Sequence, residues 1–269
     1  MKHTHGFFLH KVFYPCPKNF EELNAKQLVA VHEVLAAPNT HEEAIAQLLP
    51  LLFSVEKSLR LRWFFLHQIS TFDLYDLAIF CEPFIEQEPT TQNLVPSMLC
   101  QGSRLFGPAN ALENLCFIEF IKAEHFFVAY AQQQQPQDLQ SLVAVLYRPA
   151  KRWFKSWDKT ADRREPYNDH TLEARAKALA TIPWGLQMAI LNYYVACRNA
   201  LIAQFPRVFV RPEDQISDAP NFGWVGVWLK LSGTKFGDDE QTANKNIYLI
   251  LADLEIMMTE KAYRKSHES

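Results

Sequence analysis

The chain has 269 residues, enough for one large domain or two modest ones, and its 48% apolar and 21% charged content excludes wholesale disorder. With 27 basic and 30 acidic side chains the formal net charge is −3, so the protein as a whole is no electrostatic partner for nucleic acid or an anionic membrane; any such contact must be local. Five cysteines (Cys16, Cys81, Cys100, Cys116 and Cys197), odd in number, widely spaced and without a CxxC pair, argue against a zinc site or a disulfide framework and fit a reducing cytoplasm.

Phe is abundant, at 20 copies against 8 Gly, a ratio that suits packed helices better than a turn-rich β architecture. The N-terminal "MKHTHGFFLHKVFYPCP" interrupts its short apolar run with His10 and Lys11 and lacks a small-residue cleavage site, so no signal peptide is expected. Residues 7–14 read as a short strand or extended arm ended by Pro15 and Pro17. Asn24 with Gln27, and Thr40 with Glu43, have capping-box spacing ahead of "AKQLVAVHEVLAA" and "HEEAIAQLLPLLF"; Pro38 closes the first helix and Pro50 bends or ends the second. "LRLRWFFLHQI" and "TFDLYDLAIFCEPFIEQ" read as two more helices, the latter starting at Thr71 and ending near Pro83. Residues 87–108, with three prolines and two glycines, read as a linker, and a subdomain boundary would fall there.

In "CFIEFIKAEHFFVAYAQ" the residues Phe117, Phe120, Ile121, Phe127 and Val128 recur at helical spacing with Glu119, Lys122 and Glu124 between them, the pattern of an amphipathic helix. After the polar "QQQQPQ" the next helix is expected from Asp138 as its cap, stopped by Pro149. Asn168 or Asp169 caps "HTLEARAKALATI", and Pro183 opens the longest helix, 184–204. That stretch is the best candidate for a membrane span, but Gln187, Asn192, Arg198, Asn199 and Gln204 interrupt it, so a buried helix is expected and no membrane association. "NFGWVGVWLKLSG" reads equally as helix or strand, and "DDEQTANKNIYLILADLEIMMTEKAYRK" as one amphipathic helix through Ile247, Ile250, Leu251, Leu254 and Met258. The fold class is therefore mainly α: one domain over 1–269, an irregular bundle of about eight to ten helices with a short N-terminal extended arm.

Catalytic signatures fail. There is no GxxxxGK[ST] loop, "GWVG" is a fragment without its further glycines, and no GxSxG surrounds a serine. Glu124 beside His125 points its side chain away from its neighbour's, and Lys122 stands where a di-iron helix needs Glu; His3, His5 and His10 are scattered in a terminus. The sequence calls for no metal, no cofactor and no enzyme; an enzyme would have to assemble its site from dispersed residues such as Glu124, His125, Asp169 and His170.

The segment "LYRPAKRWFKSWDKTADRREPYNDH" stands apart. Arg148, Lys151, Arg152, Lys155 and Lys159 interleave with Tyr147, Trp153, Phe154 and Trp157, which is the chemistry of single-stranded nucleic acid binding, in which bases stack on rings and cations meet phosphates. Aromatic and Arg side chains are equally the anchors of protein interfaces. The plain alternative is a long inter-helix loop with "DRRE" paired internally, Asp162 and Glu165 with Arg163 and Arg164. The candidate interaction residues are Tyr147, Arg148, Lys151, Arg152, Trp153, Trp157, Arg163, Arg164 and Tyr167.

The order "FYPCPKNFEELNAKQL", "ALENLCFIEFIKAEHFFVAY", "LVAVLYRP", "DRREPYND" and "GLQMAILNYYVACRNALIAQFPRVF" resembles a helical protein family of tailed-phage and prophage tail-gene regions, over most of the chain. The C-terminal "FGWVGVWLKLSGTKFGDDEQTANKNIYLILADLEIMMTEKAYRK" is similar to the end of helical tail assembly proteins. The resemblance implies a non-enzymatic, chaperone-like role in tail assembly, in the host cytoplasm or associated with the virion, with tape-measure or tail-tube proteins as partners. A nucleic-acid-binding accessory role through residues 147–167 is the alternative.

Overall fold

The computed structural model describes residues 5–9, 11–86, 90–152, 162–209 and 223–267. The chain is mainly helical, as its composition and spacing require, with twelve α-helices among the described residues, two of them a single turn long. It divides into two compact units, 1–90 with 182–192 and 91–181 with 193–269, so one junction falls at Thr90 and Thr91, inside the 87–108 segment.

In the first unit the arm is a hairpin, β1 (Gly6–Leu9) paired with β2 (Val12–Pro15) in the register Phe7↔Tyr14. Helices α1 (Ala25–Ala36) and α2 (His41–Leu52) start at the two expected capping boxes, Asn24/Gln27 and Thr40/Glu43. Gln27 does a second job: its Nε2 donates to Leu51 O at 3.0 Å and Leu52 O at 3.1 Å, satisfying terminal carbonyls of α2. Pro50 sits inside α2 and does not end it: the helix runs on to Leu52, since in the last turn only one internal hydrogen bond is forfeited. Helix α3 (Leu59–His67) follows, then α4 (Thr71–Ala78), whose cap is Ser70 in a third capping box with Asp73, and the single turn α5 (Glu82–Ile85). The core joins Val31, Leu48, Leu49, Leu52, Phe53, Leu61, Leu77, Cys81 and Phe84.

The second unit corrects the linker expectation. Residues 87–108 contain a hairpin, β3 (Ser97–Cys100) and β4 (Ser103–Phe106), turned by Gln101 and Gly102 at φ 47° and 79°. Two successive positive-φ residues are what a two-residue hairpin turn demands. Helix α6 (Phe117–Gln133) packs on α7 (Pro136–Leu146); α7 begins with Pro136 at its first position, so Asp138 is not the cap but lies in the first turn, where its charge suits the helix N-terminus. The short β5 (Arg148–Pro149) adds to β4 through Phe106↔Arg148. Helix α8 (Asp169–Leu179) is capped by Asn168.

Helix α9 (Trp184–Gln204) contributes 184–192 to the first unit and the rest to the second. No helix among the described residues is long and apolar enough to cross a membrane. The ambiguous "GWVGVWLKL" is helix α10 (Gly223–Leu231). The expected single C-terminal helix is two, α11 (Asp239–Ala243) and α12 (Ile247–His267). The break has a cause: Phe117 N donates to Lys245 O at 2.8 Å and Ile247 N to Leu115 O at 3.0 Å, so residues 245–247 pair as a bridge with the start of α6 and leave the helical ladder.

Candidate functional site

The charged segment closes on the C-terminus of α7. A helix leaves its last carbonyls without partners, and here three arginines supply them: Arg175 Nε donates to Ala144 O at 2.8 Å, Arg148 Nη1 to Val145 O at 2.9 Å, and Arg164 Nη1 to Leu146 O at 3.0 Å. Cations at this end also oppose the negative pole of the helix. The three come from α8, β5 and the segment before α8: Arg148 lies just past the helix end, whereas Arg164 and Arg175 return from 18 and 31 residues further on.

Two of these arginines, Arg148 and Arg164, converge on Glu119, in the first turn of α6 and 1% exposed. Arg148 Nη2 donates to Glu119 Oε1 at 2.6 Å and Arg164 Nη2 to Oε2 at 3.1 Å, with both guanidiniums as buried as the carboxylate. Asp162 receives Arg164 at 2.8 Å, and Glu165 receives Arg175 at 3.2 Å. Three guanidiniums therefore face three carboxylates, and the buried cluster is close to neutral, the condition under which ions tolerate burial. Burial opposes the charge on Arg164, but Glu119 and Asp162 outweigh it and hold its pKa above the ordinary value. Arg175 moves the other way, lowered first by burial and then by Arg148. The Cys116 thiol is pushed up to about 11 by burial and by Glu119.

Backbone pairing completes the clasp. Lys151 N donates to Arg163 O and Glu165 N to Pro149 O, both at 2.9 Å, which zips the two arms of the loop together. Each of these carboxylates and guanidiniums holds one stretch of chain to another, so the cluster is a structural clasp.

The candidate interaction residues consequently separate. Tyr147, Arg148 and Arg164 are in the interior, not on display: the Tyr147 hydroxyl donates to Val95 O at 2.7 Å, burial raises its pKa, and the two arginines are spent on α7 and Glu119. Lys151, Arg152 and Arg163 are exposed, Arg163 lying 5.0 Å from the centre of the Phe106 ring. Tyr167 is half-buried and donates to Asp169 Oδ1. Trp153 and Trp157 lie outside the described residues. Of the expected "DRRE" pairs, Asp162 with Arg164 forms, while Glu165 turns to Arg175.

Glu119 and Glu124, expected between the apolar positions of an amphipathic helix, are buried instead, because each meets an arginine there. Glu124 accepts the Tyr194 hydroxyl at 2.7 Å and Arg198 Nε at 2.8 Å, and Arg198 also covers the Phe127 ring at 5.1 Å. Burial, then Glu124, holds the Tyr194 hydroxyl protonated far above its ordinary range. His125, Asp169 and His170 are exposed, Asp169 pairing with Lys122 at 2.9 Å, and no group of ligands that could hold a metal occurs among the described residues.

The surface that sequence spacing only half revealed is on α12. Its inner face buries Ile247, Ile250, Leu251 and Leu254, as expected. Its outer face carries a second apolar row, Leu249, Ile256 and Tyr263, at 62%, 58% and 64% exposure. Their i, i+7, i+14 spacing keeps them in line, drifting only about 20° per heptad. A seven-residue repeat in "LILADLEIMMTEKAY" was the available signal.

Fold and site together define a mainly α, two-unit protein with a buried ionic clasp and an outward apolar row on its last helix. Comparison with family models, with curated proteins and with solved structures gives no match.

Proposed function

We propose that the chain is a non-enzymatic assembly factor that acts in the bacterial cytoplasm by binding another protein along the outer face of α12. The observation that carries this reading is the exposed row through Leu249 and Ile256, continued by Tyr263, on a helix whose opposite face is already anchored in the core. An apolar row at heptad spacing is complementary to a second helix laid alongside it. The tail-gene resemblance supplies the partner class, a long helical tail protein of tape-measure or tail-tube type. The nucleic-acid alternative is weakened because Arg148 and Arg164 neutralise buried carboxylates and have no charge to offer phosphates.

The test is co-expression with the products of neighbouring genes, purification with nuclease at high salt, and comparison with Leu249→Glu/Ile256→Glu. A helical partner should come down with the wild type and be lost with the variant, while the variant keeps its helical circular dichroism. A wild-type chain that purifies alone, or a partner indifferent to the substitutions, overturns the reading; material removed by nuclease or salt returns it to nucleic acid.

A further inference from the structure

The first unit carries two more apolar rows that its own core leaves uncovered. On α3, Leu61 is buried and Phe64 and Phe65 pack on the core, whereas Leu59, Trp63 and Leu66 are 86%, 53% and 65% exposed. On α4 and its C-cap, Leu77 is buried and Leu74 packs, whereas Phe72, Tyr75 and Ile79 are 73%, 81% and 59% exposed. The spacings, i, i+4, i+7 and i, i+3, i+7, put each set on one face of its helix. Single exposed apolar residues are ordinary on a soluble protein, but ordered rows mark an interface.

The charges beside the two rows have opposite sign. Helix α3 presents Arg60 and Arg62 and has no acid between Leu59 and His67; α4 carries Asp73 and Asp76 and has no cation between Thr71 and Ala78. At 3.6 residues per turn, Arg62 lies about 40° beyond Leu66 and Asp76 about 40° beyond Phe72, so each flanks its row. Asp73 is occupied in the capping box with Ser70. Arg60, Arg62 and Asp76 make no ion pair among the described residues.

We infer that the occupant of this surface is a second copy of the chain, with α3 of one protomer laid on α4 of the other and the contact repeated by a two-fold axis. Pairing α3 with α3 sets cation against cation, and α4 with α4 acid against acid; only the crossed arrangement joins apolar rows while placing Arg60 and Arg62 opposite the acid of the other copy. A two-fold contact uses both rows at once. Six large apolar side chains per protomer, doubled, bring together on the order of 1,000 Å² of apolar surface, about the minimum for a specific interface. This surface is in the first unit, whereas the partner face on α12 is in the second, so the two readings fail independently.

The experiment is sedimentation velocity with light scattering on the purified full chain, alone, up to about 100 µM, a range that resolves micromolar dimers. The wild type should be a dimer. Trp63→Glu should weaken it by at least about 100-fold and Arg60→Glu/Arg62→Glu by about 10-fold. Adding Asp76→Lys to the latter should restore association to within a few-fold of wild type, because both copies then carry the reversed pair. All of these positions are exposed, and unchanged far-UV circular dichroism confirms that each variant folds. A monomer at the highest concentration, a dimer that Trp63→Glu leaves intact, a charge reversal without rescue, or an assembly larger than a dimer overturns the proposal. So does a monomer that co-sediments with phosphatidylglycerol vesicles, which would give the face to a membrane surface.

Discussion

Replacing Glu119 by Gln tests whether the clasp holds the second unit together. The carboxylate is 1% exposed and accepts from two buried guanidiniums, Arg148 at 2.6 Å and Arg164 at 3.1 Å. Gln keeps the shape but sets an NH2 donor against one of two donors and leaves the cluster with an excess positive charge out of water. Breaking a buried pair by neutralising one partner costs about 3–5 kcal/mol, a large share of the roughly 5–15 kcal/mol that stabilises a typical protein. For a chain of this size that lowers the melting temperature by roughly 10 °C. Urea titration followed by far-UV circular dichroism measures it, with Glu173→Gln as the control. Glu173 pairs with Lys177 at 2.8 Å across an exposed helix turn, and its loss should leave the midpoint unchanged. A further variant, Glu119→Leu/Arg148→Met/Arg164→Leu, separates two roles. Apolar replacement often rescues a buried ion pair, but here it also strips donors from Val145 O and Leu146 O, at about 1–3 kcal/mol for each buried orphan. A loss below about 1 kcal/mol for Glu119→Gln, or full recovery in the triple variant, refutes the reasoning.

Two predictions concern the first unit. Gly185→Ala should cost about 3 kcal/mol or more in a denaturant titration, because the new Cβ would sit 2.0 Å from the Val29 carbonyl oxygen, a backbone atom of α1 that cannot rotate away; stability within about 0.5 kcal/mol of wild type would mean that α1 and α9 separate freely. His32 is 5% exposed, and burial lowers its pKa below the ordinary 6.5, partly offset by the hydrogen bond of its Nδ1 to Leu28 O at 2.9 Å. Its contribution is present above pH 6.5 and lost as pH falls, since the unfolded chain then takes up a proton that the folded chain refuses. Between pH 7 and 5 the wild type should therefore lose more stability than His32→Met, by at most about 1.4 kcal/mol per pH unit; equal slopes would remove His32 from the acid response.

Interactions within a few residues were legible in the sequence. The boxes Asn24/Gln27 and Thr40/Glu43 formed where their spacing put them, α9 started after Pro183, and the buried row of α12 followed from periodicity. Such signals carry their own partners, three or four residues away, so no tertiary information is needed to read them. The hairpin at 97–106 was hidden because Gln-Gly is a weaker turn signal than Asn-Gly and the strands are only four residues long. What tertiary structure alone decided is the fate of the charges. Glu119 and Glu124 carry the same local signature as solvated helix acids, and Arg148 and Arg164 the same signature as phosphate-binding cations. Each is buried because its partner arrives from 29, 45 or 74 residues away, and a charge leaves water only where an opposite charge and a set of unpaired carbonyls are already waiting for it.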